Sequence, residues 1–414
     1  MIRISTSWMY QQSVSTMLAQ QSELNETENQ VSTGIAINVP SDNPTGAAQI
    51  VGLNHIMAEN TQYSTNITNA NTQLSTESST LSSVTNLLNS VNDVGLSSIN
   101  GTMSQSDLSN LATELTQYRD QLLQLANTTN ANGQSLFAGT STATTAFTQD
   151  SSTGAVTYAG NDQQTFTTIG SGLQVATGDP GSSLFMDIPA GNGSFVASAN
   201  SSNTGTLVVG ANSVTDQSAW NAANASGPVD DTITFGANGT YSVTDANGNP
   251  VTDSSGNPIT GTYTAGGSIS FDGVSISLSG TPASGDTVNV QADTASNTQS
   301  VFTTLNNMIN ALQSGESSTQ LTNTMNRQLE SLSQAMSAVS NTSVSVGTRI
   351  DTLTQQSSDY SDLNTTYQTA LTSVQDVDAA TAISNLSLQS TALQASQEAF
   401  AKVQGNSLFN YLQG

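Results

Sequence analysis

The sequence predicts an α+β fold: an elongated antiparallel helical coiled-coil rod built from both the N- and C-terminal arms, with β-rich modules inserted from the middle of the chain. Three observations predict it. Helix-patterned segments open and close the 414 residues, each with apolar side chains at seven-residue steps. The stretch between them, about 139–295, changes to short alternating runs punctuated by Gly, Asn and Asp. The residues between heptad positions are mostly Ser, Thr, Asn and Gln, poor helix formers that need packing to hold the helix. Such arms pair only if the chain goes out and returns, which places both termini at one end.

Residues 1–43 carry a sparse stripe, Val14, Leu18, Leu24 and Val31. From Pro44 to about Ile99 the heptads are regular. One register holds Leu53, Asn60, Ile67, Leu74, Leu81 and Leu88; the other holds Ile56, Tyr63, Ala70, Glu77, Val84 and Val91. Such a helix spans roughly 80 Å at about 1.5 Å per residue. Gly101 breaks it, Asp107 is the expected N-cap of the next helix, and Asn132-Gly133 its expected end.

The middle reads as strands at Thr232–Phe235, Tyr241–Val243 and Ile259–Tyr263, and as a hairpin Ile269–Leu278 turning at Asp272-Gly273. Asn247–Pro250 and Gly256–Pro258 are turns, and a Gly/Ser/Asn-rich stretch near 191–206 is expected to separate two β modules. No tandem repeat beyond the heptads is read there. In the C-terminal arm, Ser296 is expected to cap a helix through Val301, Leu305, Met308 and Leu312, stopped by Gly315. A second helix is expected through Leu321, Met325, Leu332 and Val339, and a third, long one through Leu353, Tyr360, Tyr367 and Val374. Leu386, Leu393 and Phe400 continue at seven-residue steps toward the apolar ending Leu408, Phe409, Tyr411 and Leu412.

Composition narrows the function. Charged residues are 8% of the chain, only five are basic, and the formal net charge is −25. Nucleic acid and anionic membranes both need clustered Lys and Arg, so neither is an expected partner. Polar, nearly uncharged helix flanks suit lateral assembly, because neighbours can touch them without burying charge. With no cysteine, neither disulfides nor thiolate metal sites are available. The early apolar run Trp8-Met9-Tyr10 is too short for a cleavable secretory signal, and no run is long enough for a membrane span.

No catalytic constellation emerges. The single histidine, His55, lies beside heptad positions and cannot by itself hold a metal. Asp245-Ala246-Asn247-Gly248-Asn249 opens like a calcium loop, but position 256 is Gly where a bidentate Glu belongs, so it reads as a turn. Asp230-Asp231 and the pair Asp376/Asp378 read as caps or interface acceptors; at helical spacing the latter two would not share a face. No cofactor is expected.

Four stretches carry a family resemblance. They are Met1-Ile2-Arg3-Ile4-Ser5-Thr6 with Tyr10-Gln11; Ser32-Thr33-Gly34 followed by Pro40-Ser41-Asp42-Asn43-Pro44-Thr45-Gly46-Ala47; Asn132–Thr140 followed by Tyr158-Ala159-Gly160-Asn161-Asp162; and Asp376-Val377-Asp378-Ala379-Ala380 with the ending Ser407–Leu412. Together they resemble the flagellin superfamily, and within it the hook-associated protein 3 class. One departure stands out: a basic residue usually follows the Gly of Ser-Thr-Gly, and here Ile35, Ala36 and Ile37 follow it.

The resemblance implies a structural adaptor at the hook–filament junction, outside the cell after a transient cytoplasmic stage and export by the flagellar type III apparatus. It implies self-association in a ring-like layer, with the other hook–filament junction protein and flagellin on either side and an export chaperone on the C-terminal arm. The runner-up readings are a flagellin filament subunit and a coiled-coil adhesin with a β head. Expected assembly residues are Val14, Leu18, Leu24, Val31, Leu386, Leu393, Phe400, Leu408, Phe409, Tyr411 and Leu412. Gly34, Pro40, Asp42, Pro44, Asp376 and Asp378 are the motif positions. The expected division is a terminal domain from 1–43 and 376–414, a helical rod domain from 44–138 and 296–375, and β modules at 139–195 and 196–295. Both ends are expected to be disordered in the single molecule and to fold on assembly.

Overall fold

The computed structural model describes residues 6–142, 144–294 and 298–405. Its helices are α1 (Thr6–Thr33), α2 (Pro44–Ser98), α3 (Gln105–Ala126), α4 (Gln217–Ala223), α5 (Val301–Gln313), α6 (Ser318–Gln375) and α7 (Ala379–Gly405). The strands are β1 (Phe147–Gln149), β2 (Val156–Tyr158), β3 (Thr165–Gly170), β4 (Leu173–Gly178), β5 (Ile188–Pro189), β6 (Phe195–Ala199), β7 (Val208–Val214), β8 (Asp230–Phe235), β9 (Thr240–Thr244), β10 (Thr260–Thr262), β11 (Ser268–Phe271), β12 (Val274–Ser279), β13 (Thr287–Ala292) and β14 (Thr298–Gln299). The chain is thus of mixed α and β type, with long helices in both arms and a β-rich centre. It divides into two compact units, one from 1–65 with 355–414 and one from 66–354.

In the first unit the expected heptad registers meet. Asn60 on α2 donates an amide hydrogen bond to Asn364 on α6 (3.2 Å), and Tyr63 stacks on Tyr360 with ring centroids 5.7 Å apart. The paired positions run in opposite order along the two helices, which makes the pairing antiparallel. The polar heptad residues are therefore part of the seam, matched to each other rather than to water.

The second unit has two cores. Leu74, Leu81, Val84, Leu88 and Val91 of α2, Leu115 and Leu122 of α3, Leu305, Met308 and Leu312 of α5, and Met325, Leu332, Val339, Val346 and Leu353 of α6 are buried. An aromatic cluster extends this helical core. Phe185, in a π-helical turn, meets Phe137 and Phe147 edge-on, each at 5.5 Å, and Phe302 of α5 at 6.3 Å. The antiparallel hairpins β1–β2 and β3–β4 lie in this part of the chain.

The second core lies between a five-stranded sheet, order β10-β9-β8-β13-β6, and a three-stranded sheet, order β11-β12-β7. Phe195, Ile233, Phe235, Val243, Val288 and Val290 from the first face Val209, Ile269, Phe271, Val274, Ile276 and Leu278 from the second. The β11–β12 turn has Asp272 and Gly273 at φ 48° and 79°, the pair of positive angles a type I′ hairpin requires.

Several expectations need correction. Ser104, not Asp107, is the N-cap of α3; Asp107 is the third helical residue and completes a capping box with it. That helix ends at Ala126 rather than at Asn132-Gly133, because the Asn127 side chain leaves the helix to bond Ala146 and Phe147 at the start of β1. Ser296 lies outside the described residues, and Ser300 caps α5 through the Thr303 N–H (3.0 Å). The second and third C-terminal helices are one continuous helix, α6. The supposed spacer near 191–206 contains β6, whose Phe195 and Ala197 point into the sandwich core.

Against the expectation of no repeat beyond the heptads, two eight-residue turns, Asp245–Thr252 and Asp253–Thr260, share one geometry. In each, the leading carboxylate accepts backbone N–H groups two and four residues ahead. The disorder expected of the ends is also not what the structure holds over Thr6–Thr33 and Ala379–Gly405, which are helices packed on each other.

Candidate assembly site

Of the expected assembly residues, Val14, Leu18, Leu24 and Val31 lie on α1 and Leu386, Leu393 and Phe400 on α7, and the structure sorts these seven into two groups. Tyr10 of α1 meets Phe400 of α7 edge-on, ring centroids 5.8 Å apart. Leu24, Val31, Leu386, Leu393 and Phe400 are half-buried. Val14 and Leu18 are not covered: they are 40% and 62% exposed. Leu408, Phe409, Tyr411 and Leu412 lie outside the described residues. Heptad reasoning missed a further set of exposed apolar side chains, Trp8, Met9, Ile383, Leu388 and Val403. A search for one seven-residue stripe finds the side chains of one seam and passes over those on other faces of the same helix.

The motif positions build the junctions beside these helices. Gly34 ends α1 with φ 73° and donates its N–H to Gln30 O (2.9 Å), the left-handed helix stop that glycine adopts without strain. Its carbonyl accepts the Val377 N–H (3.0 Å), and Ala36 N–H donates to Gln375 O (2.7 Å). Ile35 and Asp376 form the antiparallel bridge between these bonds. Two stretches of the family pattern, far apart in sequence, thus lie side by side.

Asp42 Oδ2 accepts the N–H groups of Asn38 (3.0 Å) and Val39 (2.9 Å), closing the turn that contains Pro40. Pro44 is the first residue of α2, where its missing N–H is not needed, and Asn43 Oδ1 accepts the Gly46 N–H (3.0 Å). Asp376 and Asp378 fall in the break between α6 and α7, not within a helix as the spacing argument assumed. Asp378 accepts the Thr381 hydroxyl (2.7 Å) and the Ala380 N–H (3.1 Å) at the start of α7. The Thr381 hydroxyl and the helix-start N–H groups hold its carboxyl below the usual range.

Three of the five basic residues make internal contacts. Arg119 bonds Asn306 and Asp120, Arg327 bonds Glu330, and Arg349 bonds Asp179. Among the described residues no cluster of three or more His, Asp or Glu could hold a metal ion, and no helix is long and apolar enough to cross a membrane.

Comparison with known proteins places this arrangement. The family model for the bacterial flagellin N-terminal helical region matches residues 4–142. Flagellar hook-associated protein 3 of Salmonella typhimurium is 37% identical over 187 residues, 45% of this chain and 58% of that protein. The chain thus spans little more than half of that relative. The crystal structure of Xanthomonas campestris FlgL is 30% identical, with a TM-score of 0.62 over 71% of this chain and 91% of that one. The chain belongs to the flagellin superfamily, in its hook-associated protein 3 class. Hook-associated protein-3 from Legionella pneumophila matches with a TM-score of 0.70 at 28% identity, over 78% of this chain and 99% of that one. The long helices and the β-rich centre are therefore those of this class.

Proposed function

We propose that the chain is a non-enzymatic structural adaptor of the bacterial flagellum, placed at the junction of hook and filament. It reaches that place by export through the flagellar type III apparatus, after a cytoplasmic stage in which a chaperone covers the C-terminal arm. Its terminal helices polymerise into a ring-like layer, with the other junction protein on one side and flagellin on the other. The observation that carries this reading is the apolar surface left on α1 and α7 after they pack together, above all Leu18 and Leu388, which are 62% and 66% exposed. Apolar side chains repeated on a helix pair that is already formed fit contact with further helices. The near absence of charge on the flanks removes the desolvation penalty such contacts would otherwise meet.

The test is a Leu18→Asp, Leu388→Asp double variant. Both sites are exposed, so its circular dichroism should match that of the unchanged protein, while filament attachment to the hook is lost. Normal attachment and motility in that variant would overturn the proposal.

A further inference from the structure

Glu77 occupies a heptad position on α2 between Ala70 and Val84 and is fully buried. Its Oε1 accepts the Asp179 N–H (3.2 Å), just after β4, and its buried Oε2 has no protein partner. The Asp179 carboxylate is gripped by Arg349 of α6 through both terminal nitrogens (2.8 and 3.0 Å), and Gln164, just before β3, donates its amide to the same group. Ser345 holds the guanidinium in place (3.0 Å). Three distant segments therefore meet at one carboxyl pair served by one arginine.

We propose that Glu77, Asp179 and Arg349 form a proton-operated latch that pins the β3–β4 hairpin to the two long helices. It is closed while Glu77 is a neutral acid and loosened when Glu77 ionises. With Glu77 neutral, the Arg349 and Asp179 charges cancel. Once it is ionised, two buried carboxylates share a single arginine, and the extra charge is buried with the Asp179 N–H on Oε1 and no protein donor on Oε2.

Burial first, and then the neighbouring Asp179, push the Glu77 acid up to about 8 from its ordinary 4.5; the Asp179 N–H and Arg349 oppose this. The charged groups facing Glu77 are Asp179, at the exit of β4, and Arg349, on α6. The folded chain thus keeps a proton that the unfolded chain gives up between those two values. The contribution to stability is complete below pH 4.5 and fades as pH rises through about 8. An uncharged tie remains when the latch opens, the Asn66 amide to Thr168 O (2.8 Å), so the hairpin loosens without leaving α2. The hairpin also carries Phe166, 57% exposed, so its hold on the helices governs the presentation of an exposed aromatic ring.

The test measures amide exchange of residues 165–178 in the full chain at pH 6 and pH 9, corrected for intrinsic rates, in the unchanged protein and in Glu77→Gln. A local readout is needed because Asp231, in the β sandwich, also has its acid pushed up, to about 7, and would contribute to any global melting curve. Protection should fall about tenfold or more in the unchanged protein and stay constant in Glu77→Gln, whose amide replaces the neutral acid. Equal protection at both pH values, or an equal loss in both proteins, would overturn the latch. A carbon-13 titration of the Glu77 carboxyl in the unchanged protein decides the matter even if the variant does not fold. A midpoint near 8 supports the latch, and one in the ordinary carboxylate range ends it.

Discussion

Phe185 shows how much one side chain holds in this molecule. It touches three other rings, and through Phe302 it ties the π-helical turn and the neighbouring hairpins to α5. Phe185→Ala should cost about 3–5 kcal/mol, read as a lower urea midpoint with an unchanged slope. Asp231 is a second informative residue. It points inward from β8 with Oδ2 unpartnered, and burial first, then the nearby Asp272, Asp245 and Asp230, push its acid up from 3.8 to about 7. The folded sandwich therefore holds a proton that the unfolded chain releases, and its stability declines as pH rises through that window. Asp231→Asn should flatten this decline and be more stable than the unchanged protein at pH 8. A variant that melts in parallel with the unchanged protein from pH 4 to pH 8 would remove Asp231 as a source of pH dependence.

Among the elements, β7 is the edge of its sheet, and α6 covers it with side-chain amides. Asn323 accepts the Val209 N–H (2.8 Å) and donates to Leu207 O (2.9 Å), and Asn326 donates to Val209 O (2.9 Å). The pair satisfies the strand's backbone as a neighbouring strand would. Asn323→Ala should cost about 1–3 kcal/mol by leaving that backbone without partners, measured by urea unfolding.

The long heptad segments were legible in the sequence because period and length agree over many turns; Leu74, Leu81 and Leu88 are all buried as their register requires. Boundaries were less legible. Ser104 and Asp107 are both capping residues, and only the backbone decides which of them lies outside the helix. The strand β6 was hidden by composition, since Phe195-Val196-Ala197 sits in a run of Gly, Asn and Ser. The latch was out of reach: Asp179 is 102 residues from Glu77 and 170 from Arg349. Its one signal was a carboxylate at a position where the heptad wants an apolar residue.

For the whole molecule, the decisive quantity is the charge of −25 carried with five basic residues, three of them paired inside the second unit. Copies of this chain repel one another, so the association we propose depends on apolar contact and on screening of like charge. Assembly onto purified hooks should therefore speed up as salt rises from low to physiological strength, and a rate that falls with salt would point instead to a basic partner. The motif at Gly34 and Asp376 and the exposed faces of α1 and α7 bear on one claim, that this chain is a scarce connector joined through its terminal helices. The most direct measurement of it is electron microscopy of intact flagella carrying a gold label in the exposed turn at Asn247. The label should form a single narrow band where hook meets filament. Label spread along the filament, or none on the organelle, would contradict the account.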